Sequence, residues 1–260
     1  MLLNFINFLK QYQTMVKIII IVVLIIAIVA LIVYAVKKEK QLTKREKIKR
    51  ITFISILSAF SFVLYMVKFN LPFLFPSFLE IQFSNVPVLI GGFLYGPIAG
   101  VIIVIVRMIL KVPFTSTAGV GEFADLIIGI AIVLVSSIIY QKNKSKKGAV
   151  IALISSSLTW TIIAFISNWL ILIPFYIYFY FGGYENIQAL IGLMKVIPGV
   201  NENNYMIKYL IYGNLPFNLL LSSAVSIVTF LVYKRVSIIA HDIEGNEEIV
   251  KANVVEISHK

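Results

Sequence analysis

Cysteine is absent from all 260 residues, which excludes disulfides, thiolate metal ligands and cysteine nucleophiles. Histidine occurs only at His241 and His259, both in the polar C-terminal stretch, so no histidine cluster offers a metal site or a general base elsewhere. No HExxH, P-loop or GxSxG pattern is present, and hydrolysis of peptides or ATP by this chain has no motif behind it. Charge is scarce too. Charged residues are 13% of the chain against 60% hydrophobic, with a mean hydropathy of +0.95, more apolar surface than a water-soluble core can hide.

What is present is a series of apolar runs that approach or exceed the roughly 20 residues needed to cross a bilayer as helix. They lack the short alternation of barrel strands, so the fold class is an all-α polytopic membrane protein. The net charge of +11 raises nucleic acid as a partner, but the basic residues cluster beside apolar spans, as the positive-inside rule expects. No nucleic-acid partner is expected.

The first span, residues 18–36, is too long for a signal-peptide core and runs into a charged stop-transfer stretch rather than a cleavage site, so it is read as a retained helix. Residues 37–50, "KKEKQLTKREKIKR", carry eight basic against two acidic residues and are placed in the cytoplasm, touching anionic lipid. Further runs cover 51–69, 86–110, 122–140, 149–181 and 207–233. Charge decides how to count them. If 86–110 were one helix, the lysine-rich "QKNKSKKG" at 141–148 would fall outside. Breaking it at Gly96-Pro97 puts 141–148 and Lys234-Arg235 in the cytoplasm together. The first half is then too short to span alone and must be shielded by other helices. The expected organisation is an N-terminal helix and basic linker over 1–50, a six-helix membrane domain over 51–235, and a polar tail over 236–260. No internal repeat is evident, which disfavours a transporter of two matched halves.

Polar residues gather in the connections and helix ends assigned to the external side. "NLPFLFPSFLEIQFSN" (70–85) reads as a stiff interfacial loop or as a lid over a ligand. "PFTSTAGVGEFADL" places hydroxyls and glycines before a helix whose first turn holds Glu122 and Asp125. Those carboxylates either complement the helix dipole or form an acid pair for proton coupling in an autonomous secondary transporter. Asn168 and Asn218 lie within apolar spans, where an amide needs a partner. Interhelical glue is one role, and reading the edge of a planar polar heterocycle beside Trp169, Tyr176 and Phe217 is the other.

At these residues the chain becomes recognisable. "FLFPSFLEIQFSNVPVLIGGFLYGPIAG", "TSTAGVGEFADLIIGIA", "NWLILIPFY" and "PFNLLLS", in this order, resemble the riboflavin-binding S component of energy-coupling-factor (ECF) vitamin transporters over about residues 51–235. The resemblance implies a six-helix core in a bacterial plasma membrane, here with one additional N-terminal helix. It implies no enzymatic activity and no resident cofactor or metal. The ligand would be riboflavin or a flavin analogue, captured from outside. Delivery would run through a transmembrane coupling subunit and two cytoplasmic ATPase subunits. An S component for a different vitamin is the neighbouring reading.

By motif, Asn168 and Asn218 would bind the isoalloxazine ring. Phe78, Leu79 and Glu80 would lie in the first external loop over the ligand, and Thr117, Gly119 and Gly121 in the loop beside it. The small residues Ser55 and Ala59 keep the spacing with which the family's first core helix meets the coupling subunit. Two departures stand out. The family pattern PFNxxKG has Leu221 and Ser222 in place of its lysine and glycine, one polar ligand contact fewer. Its DFSD reads Gln82-Phe83-Ser84-Asn85, with both acids replaced by amides.

Overall fold

The computed structural model describes residues 2–39, 41–233 and 235; the expected tail over 236–260, with His241 and His259, lies outside the described residues, as does Lys234. The described chain is helical almost throughout: α1 (Leu2–Lys38), α2 (Lys44–Met66), α3 (Asn85–Tyr95), α4 (Pro97–Lys111), α5 (Val120–Lys142), α6 (Lys146–Phe179), the short α7 (Ile187–Leu193) and α8 (Tyr205–Tyr233). Six of these are long and apolar enough to cross a membrane.

Helix α2 begins seven residues before the apolar run that marked it in the sequence. The cause is a capping box: Thr43 Oγ1 accepts from the Glu46 N–H at 3.3 Å, while Glu46 Oε2 accepts from the Thr43 N–H at 2.7 Å. Half of the basic linker is therefore helix. Among the described residues, Ile28, Leu31, Ile32 and Ala35 of the additional helix α1 pack on a cluster that includes Val101, Val104, Val133 and Leu134.

The break at Gly96 falls where the charge argument places it. Gly96 takes φ +89°, a backbone that favours glycine, and Pro97 opens α4, where its missing N–H costs nothing. Helix α3 is shielded as expected: every residue from Asn85 to Phe93 is buried. The glycines of "GGFLYGPIAG" allow this packing. A Cβ on Gly100 would sit 2.1 Å from Val133 Cγ2 and 3.3 Å from the Gly92 Cα, and one on Gly92 would sit 2.6 Å from the same valine. Val133 is fully buried and stiff at χ1, so it has nowhere to retreat. Gly100→Ala is expected to destabilise by about 1–3 kcal/mol, seen as a lower thermal midpoint in detergent.

At the end opposite Lys142 and Lys144, the chain between α2 and α3 forms a two-stranded ribbon, β1 (Phe69–Asn70) and β2 (Glu80–Ile81), antiparallel with Phe69 opposite Ile81. Its connection folds back onto the bundle. Phe75 is buried with its ring edge-on to Phe217 of α8, centroids 5.2 Å apart. This connection lies against the seam between α6 and α8 at that end of the bundle.

Candidate functional site

That seam carries a ladder of polar pairs in a setting where each is worth little alone, about 0.6 kcal/mol in a membrane. Tyr209 donates to Asn168 Oδ1 at 2.7 Å, Trp160 Nε1 donates to Asn218 Oδ1 at 3.0 Å, and Ser157 donates to the Ser222 carbonyl at 3.2 Å. The order is that of two antiparallel helices in register. Both amides use their Nδ2 on their own helix, Asn168 to the Ala164 carbonyl and Asn218 to the Asn214 carbonyl, each at 2.9 Å. Every amide nitrogen keeps a second proton, and every amide oxygen a second lone pair, for something else.

Both helices loosen at this level. Residues Asn168–Leu172 and Tyr209–Asn214 are π-helical turns, closed by Ile173 N–H to Asn168 and Leu215 N–H to Leu210. Each turn is followed two residues later by a proline, Pro174 or Pro216. Proline cannot donate, and its ring crowds the carbonyl four residues back, so the ladder steps to the next carbonyl. Single π turns of this kind are frequent at functional sites. Here they start or end on an asparagine.

Asn214, at the end of the second turn, was not singled out by its sequence. It is fully buried, and neither Oδ1 nor Nδ2 has a hydrogen-bond partner among the described residues. The Tyr209 hydroxyl lies close: its proton goes to Asn168, and its oxygen is the one acceptor within reach of Asn214 Nδ2, which leaves Asn214 Oδ1 with nothing to accept from. By the register of the neighbouring rungs, Asn214 faces Ala164, a methyl group. An amide left so costs about 1–3 kcal/mol in the ligand-free protein.

Apolar walls surround the amides. Phe78 packs at a 45° tilt against the Tyr209 ring, centroids 5.5 Å apart, Leu79 packs on the same cluster, and Trp169 joins it from α6. Trp169 and Leu210, one from each π turn, also line a cavity of about 370 Å³ that Phe165, Asn204 and Met206 complete. A larger cavity of about 610 Å³ lies at the other end of the bundle, among Tyr34, Arg50, Tyr95 and Lys142, and shares no residue with the seam.

The remaining expected residues are arranged differently. Glu80 is exposed and pairs with Lys68 at 2.7 Å, an ion pair made across the ribbon's base rather than over the amides. Thr117 points its hydroxyl at Glu122 Oε2, 2.7 Å away, as Thr115 does at 2.8 Å. Gly119, at φ +85°, makes the turn into α5, and Gly121 lets the Thr117 side chain lie where a Cβ would be. The loop is thus a cap for Glu122, tied to α6 by the Tyr180 hydroxyl on the Ser116 carbonyl at 2.8 Å. Glu122 and Asp125 have separate partners: Asp125 accepts from the Tyr65 hydroxyl and from Gln82 Nε2. Leu221 is buried with Phe217 and Val225, and Ser222 joins the seam. Ser55 and Ala59 are exposed on the outward face of α2.

Residues 49–233 match the family model described as "ECF transporter, substrate-specific component". The chain is 34% identical over 181 residues to the riboflavin transporter RibU of Staphylococcus aureus (strain TCH60), covering 70% of this chain and 86% of that one. It is 29% identical over 180 residues to the riboflavin transporter FmnP of Bacillus subtilis (strain 168), covering 68% and 86%. Among solved structures, an S component of a bacterial ECF transporter superposes with a TM-score of 0.54 at 31% identity, over 75% of this chain and 98% of that one.

Proposed function

The chain belongs to the substrate-specific components of ECF transporters, and from that premise we propose that it captures riboflavin or a close flavin analogue on the external side of the membrane. Members of this family are transport components and not enzymes, which accords with the lack of a nucleophile–base pair in the sequence. The observation that carries the flavin reading is the pair of amides on facing helices, Asn168 opening one π turn and Asn218 one helical turn past the other, with unused donors and acceptors and with aromatic walls from Phe78, Trp169 and Tyr209. The names of two relatives, both riboflavin transporters, point the same way.

Energy would come from other chains: a transmembrane coupling subunit and two ATPases in the cytoplasm. The exposed small residues Ser55 and Ala59 offer α2 a face where a neighbouring helix backbone can approach closely. Purified without added ligand, the chain is expected to quench riboflavin fluorescence at micromolar concentration or below. In proteoliposomes holding this chain alone, no accumulation is expected under a pH gradient. Accumulation would instead support the proton-coupled reading of Glu122 and Asp125. A monodisperse protein that binds neither riboflavin, FMN nor roseoflavin would end the flavin reading and send the search to other vitamins.

A further inference from the structure

Asn214 is a fully buried side chain whose amide oxygen and nitrogen both lack a partner among the described residues. Its position is not arbitrary. It ends the π turn of α8, its own carbonyl accepts from Asn218, and the Tyr209 hydroxyl beside it is held by Asn168. Along the seam Asn214 lies between the rungs of Asn168 and Asn218, and it alone of the three amides makes no rung of its own. We infer that Asn214 is a third ligand-reading amide, supplying the donor and acceptor that pair with the alternating carbonyl and N–H edge of a planar heterocycle.

The neighbouring residues favour this role over helix glue. A glue residue has its partner across the seam, as Asn168 has Tyr209 and Asn218 has Trp160; the register gives Asn214 only Ala164. One turn beyond Asn218, Leu221 presents a buried aliphatic group where the resemblance expects a lysine. Polar capacity absent on that side of Asn218 is present on the other, four residues earlier and on the same face of α8. A pocket organised in this way reads its ligand by neutral hydrogen bonds alone, which suits an uncharged ring edge.

This inference rests on the flavin reading above, and the test separates the two. Riboflavin affinity and the thermal midpoint of the ligand-free protein are measured for the wild-type chain, Asn214→Leu and Asn214→Ala. Removing an unpartnered buried amide should leave the ligand-free midpoint unchanged or raised. The same change should weaken riboflavin binding at least tenfold, about 1.4 kcal/mol. Opposite signs on the two readouts are what a merely structural residue does not give. Wild-type binding with undiminished affinity in both variants would overturn the role of Asn214 while leaving the flavin reading intact. A lowered midpoint in both, with affinity unchanged, would do the same by assigning the residue to packing. If the wild-type chain itself binds no flavin, the flavin reading fails and takes the ring-edge assignment with it.

Discussion

Asn168→Leu and Asn218→Leu are each expected to weaken riboflavin binding more than tenfold, about 1.4 kcal/mol or more. Leucine keeps the branched skeleton of asparagine, though it is bulkier, and removes both its donors and its acceptor, so a ring edge that met the amide would face a methyl group. The free protein also responds. Without Asn168 the buried Tyr209 hydroxyl has lost its acceptor, and without Asn218 the Trp160 N–H has lost its own. Each orphaned group costs about 1–3 kcal/mol of stability. Affinity must therefore be read beside the thermal midpoint. The double change Asn168→Leu with Tyr209→Phe removes both ends of one pair and should restore most of the stability lost in the single variant. If binding returns with it, Asn168 acts by holding α6 to α8; if binding stays weak, the amide itself meets the ligand.

The sequence exposed the two amides because asparagine in an apolar span demands an explanation by burial alone. It did not expose their partners. Tyr209 and Trp160 are ordinary membrane-helix aromatics until the antiparallel register of α6 and α8 brings them opposite an asparagine. Asn214 passed unremarked for a different reason: "YGNLPFN" puts it beside glycine and proline, where an asparagine reads as a turn residue. A signal was available in the two prolines, since Pro174 and Pro216 each follow an asparagine by six or two residues and each forces the helix to re-pair upstream.

The fold was legible where long-range charge balance constrained it. Four lysines at 141–148 were enough to break 86–110 at Gly96, because the alternative left them on the wrong side. Local contacts were legible only in kind. That the loop before α5 holds hydroxyls was plain, whereas their convergence on Glu122 depends on the left-handed turn at Gly119. Glu80 belonged to the right loop, and the ribbon's register then paired it with Lys68. Such placements depend on which strand residues face each other, and a one-residue slip reverses them.

The largest loss of stability is expected at Arg107, a guanidinium buried in the middle of the bundle. Its Nη1 donates to Ser84 Oγ at 2.7 Å and to Asn85 Oδ1 at 2.8 Å, and its Cζ lies 5.3 Å from the centre of the Tyr65 ring. Tyr65 in turn donates to Asp125, which Gln82 also holds. The residues gripped are those of "QFSN", so one cation fastens the start of α3, and with it the base of the external ribbon, to α4 and α5. Amides at positions 82 and 85 fit this arrangement: Arg107 and Lys111 already face two carboxylates, Asp125 and Glu122, and two further acids would leave negative charge in excess. Arg107→Met leaves half-buried Asp125 without its nearby countercharge and buried Ser84 and Asn85 without their donor, together worth about 3–5 kcal/mol, or a fall of at least about 6 °C in thermal midpoint. The double variant Arg107→Met with Asp125→Asn removes both charges and should recover more than half of that fall. A single variant that melts with the wild type would mean the charge is solvated in the folded protein. Riboflavin affinity supplies the functional readout, because a ribbon released from Ser84 and Asn85 no longer holds Phe78 and Leu79 over the amides.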